Sequence, residues 1–547
     1  MDKRVWLLDY GAGNVRSLVN AIEKLGFTVV PVRSADELKH ADRLVFPGVG
    51  AFGSAMANLE RGGFTQALKD YLTAGRPFFG ICLGMQTLFA SSDESPGIEG
   101  LGIIPAPVRL FPIAADKHSV PHMGWNGVTV HKPSPLFPEN GGQTPYYYFV
   151  HSYVVLPEEA TRDWIATTTD YGGCRFVSSV QRGNVFATQF HPEKSGAEGL
   201  ALIERFLNAP LVAPQEAASP TVADVLARTP LTQLAPRIIA CLDVRTNDDG
   251  DLVVTKGDQY DVRDKAGGGH VRNLGKPVEV ARRYYDAGAD EIVFLNITSF
   301  RNSPMKDVPM LEVLRLASQS VFVPLTIGGG IRDTTDPDGT VYSALHVANE
   351  YFRSGADKVS IGSDAVTAAE EFLANGSVKT GKTAIEQIAH VYGRQAVVVS
   401  IDPKRAYVAS QADVRHHTFE TATPGPNGER FCWYPCTVKG GRETRDIGAY
   451  ELAKACEALG AGEILLNCID RDGTNSGYDT ELIRDIKQAV CIPVVASSGA
   501  GRAEHFFQVL QQTGCDAALA AGIFHREEVL LPVVKQYLQT QGVVVRP

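Results

Sequence analysis

The chain has 547 residues and a formal net charge of -10. Hydrophobic residues make up 44% and charged residues 21%, a balance typical of a globular protein with roughly two to four domains. The charge argues against nucleic-acid binding, because such surfaces are usually basic, and no apolar run approaches the roughly 20 residues of a membrane span. A phosphorylated substrate is compatible with this charge, because a few local cations and backbone amides suffice to bind it.

The nine cysteines are scattered and odd in number, which is typical of a reduced, cytosolic protein. Cys432 and Cys436 form an isolated C-x-x-x-C pair without a second ligand pair nearby, so we expect no metal there. The stretch after Met1 runs directly into an apolar strand pattern and resembles neither a signal peptide nor a transit peptide. We therefore expect a cytoplasmic location, with neither a membrane nor nucleic acid as a partner.

Three stretches of the chain differ in pattern. Residues 1–207 alternate short β-rich runs with helical patterns, which predicts an open-sheet α/β domain. Residues 208–235 are rich in Ala and Pro and predict a linker, with one short helix at 222–228. Residues 236–547 predict a (β/α)8 TIM barrel. Its candidate strands are 237–243, 291–296, 323–327, 358–361, 396–401, 463–467, 493–496 and 517–520.

The barrel segment also carries an internal repeat. The sequence AGADEIVFL at 287–295 resembles LGAGEILLN at 459–467, and VPLTIGGGIR at 323–332 resembles IPVVASSGAGR at 492–502. Strands one and five end in Asp243 and Asp402. The pattern predicts two half-barrels, each with an acid at the end of its first strand and a Gly-rich turn after its third.

A candidate nucleophile lies in the first domain. The sequence PFFGICLGMQ at 77–86 is an apolar strand that runs into a helix. G-x-C-x-G at such a junction is typical of a nucleophile elbow, whose glycines permit the tight turn that presents the sulfur. Cys82 would lie at a helix N-terminus, where the dipole favours the thiolate. On this motif alone, a buried unreactive cysteine explains the pattern equally well.

Two further motifs favour the catalytic interpretation. The sequence ATQFHPE at 187–193 brings a base, His191, together with a carboxylate, Glu193, as attack by a cysteine requires. The Gly-rich turn FPGVG at 46–50 can direct backbone N–H groups at a developing oxyanion, with the amide of Leu83 as the other donor.

Together these motifs resemble the class I glutamine amidotransferases. GICLGMQ, FHPE and PGVG carry this resemblance, while DYGAGN, PGVGAFG and HMGWN are similar to the glutaminase of the imidazole glycerol phosphate synthase family. The resemblance covers residues 4–207 and implies a triad of Cys82, His191 and Glu193. The residues that it implies for the oxyanion and for glutamine binding are Val49, Gly50, Leu83 and Gln86.

Acids and Gly-rich turns suggest a second site in the barrel. Asp243 and Asp402 end strands at the face where TIM-barrel active sites lie, and they can serve as acid and base. The turns at 328–330 and 498–501 can present amides to phosphates, and their duplication indicates a bisphosphate substrate. Taken singly, helix-capping aspartates and plain βα loops explain the same residues.

These barrel segments resemble the cyclase of the same family. The similar sequences are RIIACLDV, VVTKG, LTIGGGIRD, VSIDPK and IDRDGT, and they cover about 236–530. The resemblance implies glutamine hydrolysis, then attack of the ammonia on a phosphoribulosyl-formimino aminoimidazole carboxamide ribotide. It implies imidazole glycerol phosphate and aminoimidazole carboxamide ribotide as products, without a cofactor or metal. The implied substrate and phosphate residues are Lys256, Asn296, Gly329, Gly330, Asp472, Thr474, Ser498, Gly499 and Gly522.

One residue and two segments of the barrel need separate predictions. Asn296 stands where many single-domain cyclases carry aspartate, so we assign it hydrogen bonding and no proton transfer. The segment 245–273, with glycine hinges and Lys256, predicts a mobile lid; the alternative is a surface loop without a function. The segment 411–446 is longer than a minimal connection and predicts a strand–turn excursion between strand five and its helix.

Four charged residues begin or lie near the start of barrel strands: Arg237, Glu291, Lys358 and Glu463. Arg237 and Asp243 share a strand face and lie roughly 20 Å apart, so Arg237 would point into the barrel floor. The four charges predict a ring there, which the resemblance implies is an ammonia gate; exposed strand-start charges are the alternative. The glutaminase would then dock on this floor, with Asn126, Tyr148 and Lys194 facing it.

Three competing functions are less compatible with the sequence. A glutaminase that serves another acceptor does not need the two aspartates or the doubled Gly-rich turns. An inactive scaffold does not need intact Cys82, His191 and Glu193. A sugar isomerase on a related barrel would lack the fused glutaminase.

Overall fold

The computed structural model describes residues 3–546 except 12, 114–117, 133, 139–143, 211–218, 230, 248–251, 256–272, 298–307 and 336–338. Thirteen strands and five helices build the N-terminal domain in this part of the chain. The strands are β1 (Arg4–Leu7), β2 (Thr28–Pro31), β3 (Leu44–Gly48), β4 (Phe78–Cys82), β5 (Phe89–Ser92), β6 (Ile104–Leu110), β7 (His122–Gly127), β8 (Thr129–Val130), β9 (Tyr146–His151), β10 (Tyr153–Val154), β11 (Ile165–Tyr171), β12 (Cys174–Arg182) and β13 (Val185–Thr188). The helices are α1 (Arg16–Lys24), α2 (Phe52–Arg61), α3 (Phe64–Thr73), α4 (Leu83–Gln86) and α5 (Gly196–Asn208).

The main sheet of this domain has the order β2-β1-β3-β4-β13-β12-β11-β8. Its central strands β3 and β4 are buried along their whole length, as expected for parallel strands covered on both faces. Two apolar cores, one on each side of the sheet, hold the helices against it. The carboxyl ends of β3, β4 and β13 therefore lie side by side and bring their following loops together.

The connection between the domains contains α6 (Val222–Ala227) and β14 (Leu234–Ala235). The helix is capped by Thr221 and Asp224, whose side chains and backbone amides bond each other reciprocally. Arg228, which we predicted inside the helix, is extended and ends it. Strand β14 pairs antiparallel with β7, so the connection joins a separate three-stranded sheet of the N-terminal domain, in the order β14-β7-β9, before the barrel begins.

The C-terminal domain is a closed barrel of eight parallel strands in the order β15-β17-β18-β21-β22-β28-β29-β30, with β30 pairing β15. The strands of this domain are β15 (Arg237–Thr246), β16 (Leu252–Thr255), β17 (Glu291–Asn296), β18 (Leu325–Gly328), β19 (Thr334–Thr335), β20 (Val341–Tyr342), β21 (Lys358–Ile361), β22 (Val397–Ile401), β23 (Ala406–Val408), β24 (Phe419–Glu420), β25 (Phe431–Trp433), β26 (Pro435–Val438), β27 (Glu443–Gly448), β28 (Glu463–Asn467), β29 (Val494–Ser497) and β30 (Ala517–Ala520). The helices are α7 (Pro277–Asp286), α8 (Val308–Ala317), α9 (Ala344–Ser354), α10 (Ser363–Ala374), α11 (Ala384–Tyr392), α12 (Ala449–Leu459), α13 (Thr480–Ala489), α14 (Ala503–Thr513), α15 (Gly522–His525) and α16 (Leu531–Thr540).

All eight predicted barrel strands are present, which confirms the predicted (β/α)8 fold. Three of them start later than predicted, β18 at Leu325, β22 at Val397 and β29 at Val494. In β18 and β29 a proline, Pro324 or Pro493, precedes the first paired residue and has no N–H to donate to the ladder. Long apolar runs such as VVVSI in β22 are buried because helices cover the outside of the barrel.

The predicted excursion after strand five is confirmed as strands β23 to β27, which precede α12. Arg405 at its start donates to both carboxylate oxygens of Asp479, which caps α13, and to Glu481. The start of the excursion is therefore joined to the beginning of α13. None of the described helices has the length and apolarity to cross a membrane.

Candidate active sites

The first site lies where β4 meets α4. Cys82 has φ 52° and ψ -104°, a conformation that non-glycine residues rarely adopt, so the sulfur sits on a strained turn. Gly84 is required by packing, because a Cβ at this residue would lie 2.1 Å from the carbonyl oxygen of Phe46. The local sequence thus holds Cys82 at the sheet edge, and Leu83 begins the helix with its amide free of an intrahelical partner.

His191 and Glu193 complete the predicted constellation from the end of β13. His191 Nδ1 lies 2.8 Å from Glu193 Oε1, and both side chains are buried. Burial alone lowers the pKa of His191, but the negative charges of Glu193 and Cys82 outweigh it and hold that pKa well above its ordinary value. The hydrogen bond on Nδ1 leaves Nε2 for the sulfur, as a base that deprotonates Cys82 requires.

The predicted oxyanion turn follows β3, whose last residue pairs with Cys82 across the sheet. Val49 and Gly50 come next, and Gly50 has φ 120°, which favours glycine. The hydroxyl of Tyr10 donates to the carbonyl oxygen of Val49 at 3.1 Å and holds this turn. Gln86 is buried at the end of α4, on the same side of the sheet edge.

A pair of buried histidines supports the strand next to the site. His151 Nδ1 donates to the carbonyl oxygen of Tyr153 at 2.8 Å, and His151 Nε2 lies 3.1 Å from His122 Nδ1. The amide of Asn126 lies 3.2 Å from His122 Nε2. Burial lowers the pKa of His151 to about 3 and that of His122 well below its ordinary value. Both rings are therefore neutral, which gives every ring nitrogen a complementary partner.

We expect this pair to make stability fall in mild acid. Below about pH 6.5 the unfolded chain takes up protons that the folded histidines refuse, so stability present above 6.5 is lost toward pH 3. When the pH falls from about 7.5 to about 5.5, each histidine should lower the free energy of unfolding by about 1.4 kcal/mol. Urea unfolding at both pH values gives the loss in unfolding free energy, and this loss should be smaller in His151→Gln than in the unchanged protein. An equal loss in both proteins would show that His151 is not the source.

The second site is a cavity of about 720 Å³ at the carboxyl ends of the barrel strands. Asp243 of β15 and Asp402 after β22 both line it, from opposite sides of the barrel. Burial raises the pKa of Asp402, although a 2.8 Å hydrogen bond from Asn467 to its Oδ1 works in the opposite direction. A carboxyl group with a raised pKa suits a general acid or base.

Most of the predicted substrate residues meet in this cavity. Those that line it are Asn296, Gly329, Gly330, Asp472, Ser498, Gly499 and Gly522. Gly329, Gly330 and Gly499 have positive φ, as does Ser498 at 73°. Such backbone turns expose consecutive N–H groups that can bind a phosphate. The two turns follow β18 and β29, so the cavity can hold two phosphates on separated strands.

Two predicted substrate residues are not placed in the cavity. Thr474 does not line it; its hydroxyl donates to Arg471 O and lies 2.7 Å from Ser476 Oγ, so a local turn uses it. Lys256 and most of the predicted lid 245–273 lie outside the described residues. Sequence reasoning also missed Asn467, although its position at the end of β28 places it at the same face as Asp402.

The four predicted gate residues form a closed ring at the floor of the barrel, each with at most 2% of its side chain exposed. Arg237 pairs with Glu291 at 2.7 Å and also with Glu463. Lys358 lies 2.6 Å from both carboxylates. Burial raises the pKa of Glu291, but the two cations outweigh it and lower that pKa below its ordinary value. The ring therefore joins two basic and two acidic side chains, each within ion-pair distance of both partners of opposite sign.

The N-terminal domain lies against this same floor. Trp125 Nε1 donates to the carbonyl oxygen of Asp290 at 3.0 Å, and Lys194 Nζ lies 2.7 Å from Asp357 Oδ2. Both barrel residues immediately precede strands that carry gate residues. Further contacts between the domains join Asn20 to Ser318, Gly196 to Phe322, and Ser119 to Asp516.

One interface prediction was wrong. Asn126 does not face the barrel; its amide turns inward to His122 and to the carbonyl oxygen of Asp170. Side chains alternate along a strand, so Trp125 and Asn126 of β7 point to opposite sides, and Trp125 takes the interface. Lys194 faces the floor as predicted. Burial is the largest cause of the raised pKa of Tyr148, and the nearby charges of the ring residues contribute after it.

Comparisons with known proteins agree with both halves. The family model described as glutamine amidotransferase class-I matches residues 6–209, and the model described as histidine biosynthesis protein matches residues 237–530. The imidazole glycerol phosphate synthase hisHF of Emericella nidulans is 56% identical over 99% of this chain and 98% of its own length. The chloroplastic hisHF of Arabidopsis thaliana is 56% identical over 100% of this chain and 90% of its own length.

A relative that corresponds to the barrel domain alone is also similar to this chain. The imidazole glycerol phosphate synthase subunit HisF of Methanothermobacter thermautotrophicus is 38% identical over 57% of this chain and 99% of its own length. Its length corresponds to the barrel, whereas the hisHF relatives extend over both domains. The chain therefore belongs to the imidazole glycerol phosphate synthase family, in the bifunctional form that carries a glutamine amidotransferase domain and a cyclase barrel on one polypeptide.

Proposed function

We propose that Cys82 hydrolyses glutamine and that the ammonia crosses the barrel to a cyclisation site between Asp243 and Asp402. The acceptor in this proposal is the phosphorylated formimino aminoimidazole carboxamide ribotide. The products are glutamate, imidazole glycerol phosphate and aminoimidazole carboxamide ribotide. One observation carries the proposal: the charged ring lies on the barrel floor against the glutaminase domain, and the cavity lies at the opposite end of the same strands.

The glutaminase step uses the triad in order. His191 takes the proton of Cys82, and the thiolate attacks the carboxamide carbon of glutamine. Amides of the Val49–Gly50 turn and of Leu83 stabilise the oxyanion. The imidazolium, held by Glu193, returns the proton to the leaving nitrogen, which departs as ammonia. Water activated by His191 then hydrolyses the thioester to glutamate and restores the thiol.

Ammonia must reach the second site without being protonated, because ammonium has no lone pair for attack. Above the ring, apolar side chains fill the inside of the barrel and exclude bulk water: Ile239, Cys241, Val293, Val398, Leu465, Val495, Ala517 and Leu519. The ring itself closes the floor, so ammonia passes when the ion pairs open. We propose Lys358 as the moving member, since its flexible chain and single nitrogen rearrange more easily than the forked guanidinium of Arg237.

Cyclisation then requires an acid and a base on opposite sides of the acceptor. Asp402, whose pKa burial raises, can hold a proton at its carboxyl group and deliver it as the ring closes. Asp243 can accept the proton that the attacking nitrogen loses. The Gly-rich turns after β18 and β29 would hold the two phosphates and fix the acceptor between the acids.

We also propose a reducing, cytoplasmic environment and small-molecule substrates alone. All nine cysteines are free, and eight of them are buried, which fits a compartment where disulfides do not persist. The net charge of -10 supports the absence of nucleic acid among the partners.

The proposed function is tested by supplying the purified chain with glutamine, with and without the phosphorylated acceptor. We expect glutamate and imidazole glycerol phosphate to form in equal amounts when the acceptor is present. Glutamate without the imidazole product would contradict the proposed cyclase. Product without glutamate would contradict the proposed nitrogen source.

Lys358→Ala is expected to uncouple the two sites. Without the ammonium group, Glu291 and Glu463 share only Arg237 and the floor stays open, so ammonia escapes to water. We expect glutamine consumed per imidazole product to rise by about twofold or more, while cyclisation from added ammonium changes little. Removing one partner of a buried ion pair costs about 3–5 kcal/mol, so urea unfolding should be measured alongside. A stoichiometry of one glutamate per product in a folded variant would show that Lys358 does not close the path.

A further inference from the structure

Gln189 lies between β13 and His191 and has no part in the triad or the oxyanion turn. Its side chain is fully buried. Its Nε2 lies 3.5 Å from the sulfur of Cys82, and its Oε1 accepts a 3.0 Å hydrogen bond from Gln86 Nε2. Burying an amide costs free energy unless its N–H and C=O groups are hydrogen-bonded. The hydrogen-bond partners of Gln189 therefore show which way its amide points.

The direction of these hydrogen bonds is fixed by a backbone carbonyl. Gln86 Nε2 also lies 3.4 Å from the oxygen of Tyr153, which can only accept. Gln86 must therefore turn its nitrogen toward Tyr153 and toward Gln189. If Gln189 alone were reversed, its NH2 group would face the NH2 group of Gln86. If both amides were reversed, the side-chain oxygen of Gln86 would face the carbonyl oxygen of Tyr153. Hence Gln189 directs a donor, and not an acceptor, at Cys82.

The carbonyl of Tyr153 is itself held in place. His151 Nδ1 donates to it at 2.8 Å, and the next ring, His122, is joined to Asn126 of β7. Asn126 pairs through its backbone with Leu234 of β14, just before the barrel. His151 therefore helps to hold the Tyr153 oxygen in position, and this oxygen together with Gln86 sets the direction of the Gln189 amide.

We propose that Gln189 is a positioning residue for the glutaminase reaction, whose amide N–H stabilises the thiolate of Cys82 and fixes the sulfur for attack. A hydrogen bond to a charged acceptor is roughly twice as strong as one to a neutral acceptor, so this donor favours thiolate over thiol. The inference rests on the proposed role of Cys82 as the nucleophile. It adds a contact on the sulfur that the triad does not supply.

The test measures the rate at which iodoacetamide alkylates Cys82 as a function of pH in the full chain. Every protein carries Cys491→Ser, because Cys491 is exposed and would otherwise react. Gln189→Met keeps the volume and removes the donor, and Gln189→Asn keeps the amide but withdraws it from the sulfur. Thr188→Val is the matched control, because its hydroxyl bonds Phe190 O and not Cys82.

In both Gln189 variants we expect the alkylation midpoint to rise by about one pH unit, with about tenfold slower alkylation below the midpoint. Glutaminase kcat should fall by a similar factor. Cyclisation from added ammonium should be unchanged, which shows that the chain is folded. Thr188→Val should keep the midpoint of the reference protein.

An unchanged midpoint in both Gln189 variants would overturn the inference, whether or not glutaminase activity falls, because a merely structural residue would not act on the thiolate. If Gln189→Met fails to fold, the Gln189→Asn result decides alone. Failure of the proposed function is distinguishable: it would show as glutaminase activity that survives Cys82→Ala, an outcome independent of the alkylation midpoint.

Discussion

Cys82→Ala is expected to abolish imidazole product formation from glutamine and to leave formation from added ammonium intact. In the proposed mechanism the sulfur of Cys82 forms the thioester, and loss of a triad nucleophile costs roughly 10⁶-fold. The barrel site does not contact Cys82, since the ring and the apolar interior separate them. Ammonia supplied in solution therefore replaces the product of the missing reaction.

The measurement is the initial rate of product formation with glutamine alone and with an ammonium salt alone. Cys174→Ala is the matched control, because Cys174 is also a buried, free cysteine but lies in β12. It should retain both activities. A Cys82→Ala protein that ammonium cannot rescue would mean that the two sites do not work independently, and the assignment of Cys82 to hydrolysis alone would be wrong.

Asp402→Asn and Asp243→Asn are expected to stop product formation from either nitrogen source. An asparagine keeps the shape of the side chain but cannot exchange a proton, and loss of a positioned acid or base costs about 10²–10⁴-fold. Asn467, which donates to Asp402, would keep the new amide oxygen in place, so the loss reflects proton transfer and not displacement.

The rates should be measured with saturating ammonium, so that glutamine hydrolysis does not limit them. Asp446→Asn is the control, because Asp446 is an exposed carboxylate of β27 that pairs with Arg415 and His416. It should cyclise at the normal rate. Near-normal cyclisation in both site variants would contradict acid–base catalysis by this pair.

Features that depend on one segment of sequence were predictable. The elbow around Cys82, the short distance from His191 to Glu193 and the strand ends that carry Asp243 and Asp402 follow from local patterns. Strand periodicity also placed Arg237 inside the barrel floor, where the structure has it with its charged partners. In each case a fixed geometry, a turn or a strand period, converts spacing into position.

Features that depend on contacts between distant segments were not predictable. Gln189 meets Cys82 across 107 residues, and the direction of its amide is set by a backbone carbonyl that no side-chain pattern reveals. The inward turn of Asn126 follows from which face of β7 the barrel covers, which only packing decides. Thr474 was assigned by resemblance, whereas its hydroxyl is already used by the turn that contains it.

The transfer of ammonia inside the molecule is tested most directly by isotope labelling. The full chain would receive glutamine labelled with ¹⁵N in the side-chain amide, the phosphorylated acceptor and a large excess of unlabelled ammonium. The pH should be low enough that little free ammonia is present. Passage through the barrel predicts that the new ring nitrogen of imidazole glycerol phosphate carries the label undiluted. A label diluted to the ratio in solution would show that ammonia leaves the protein before it reacts.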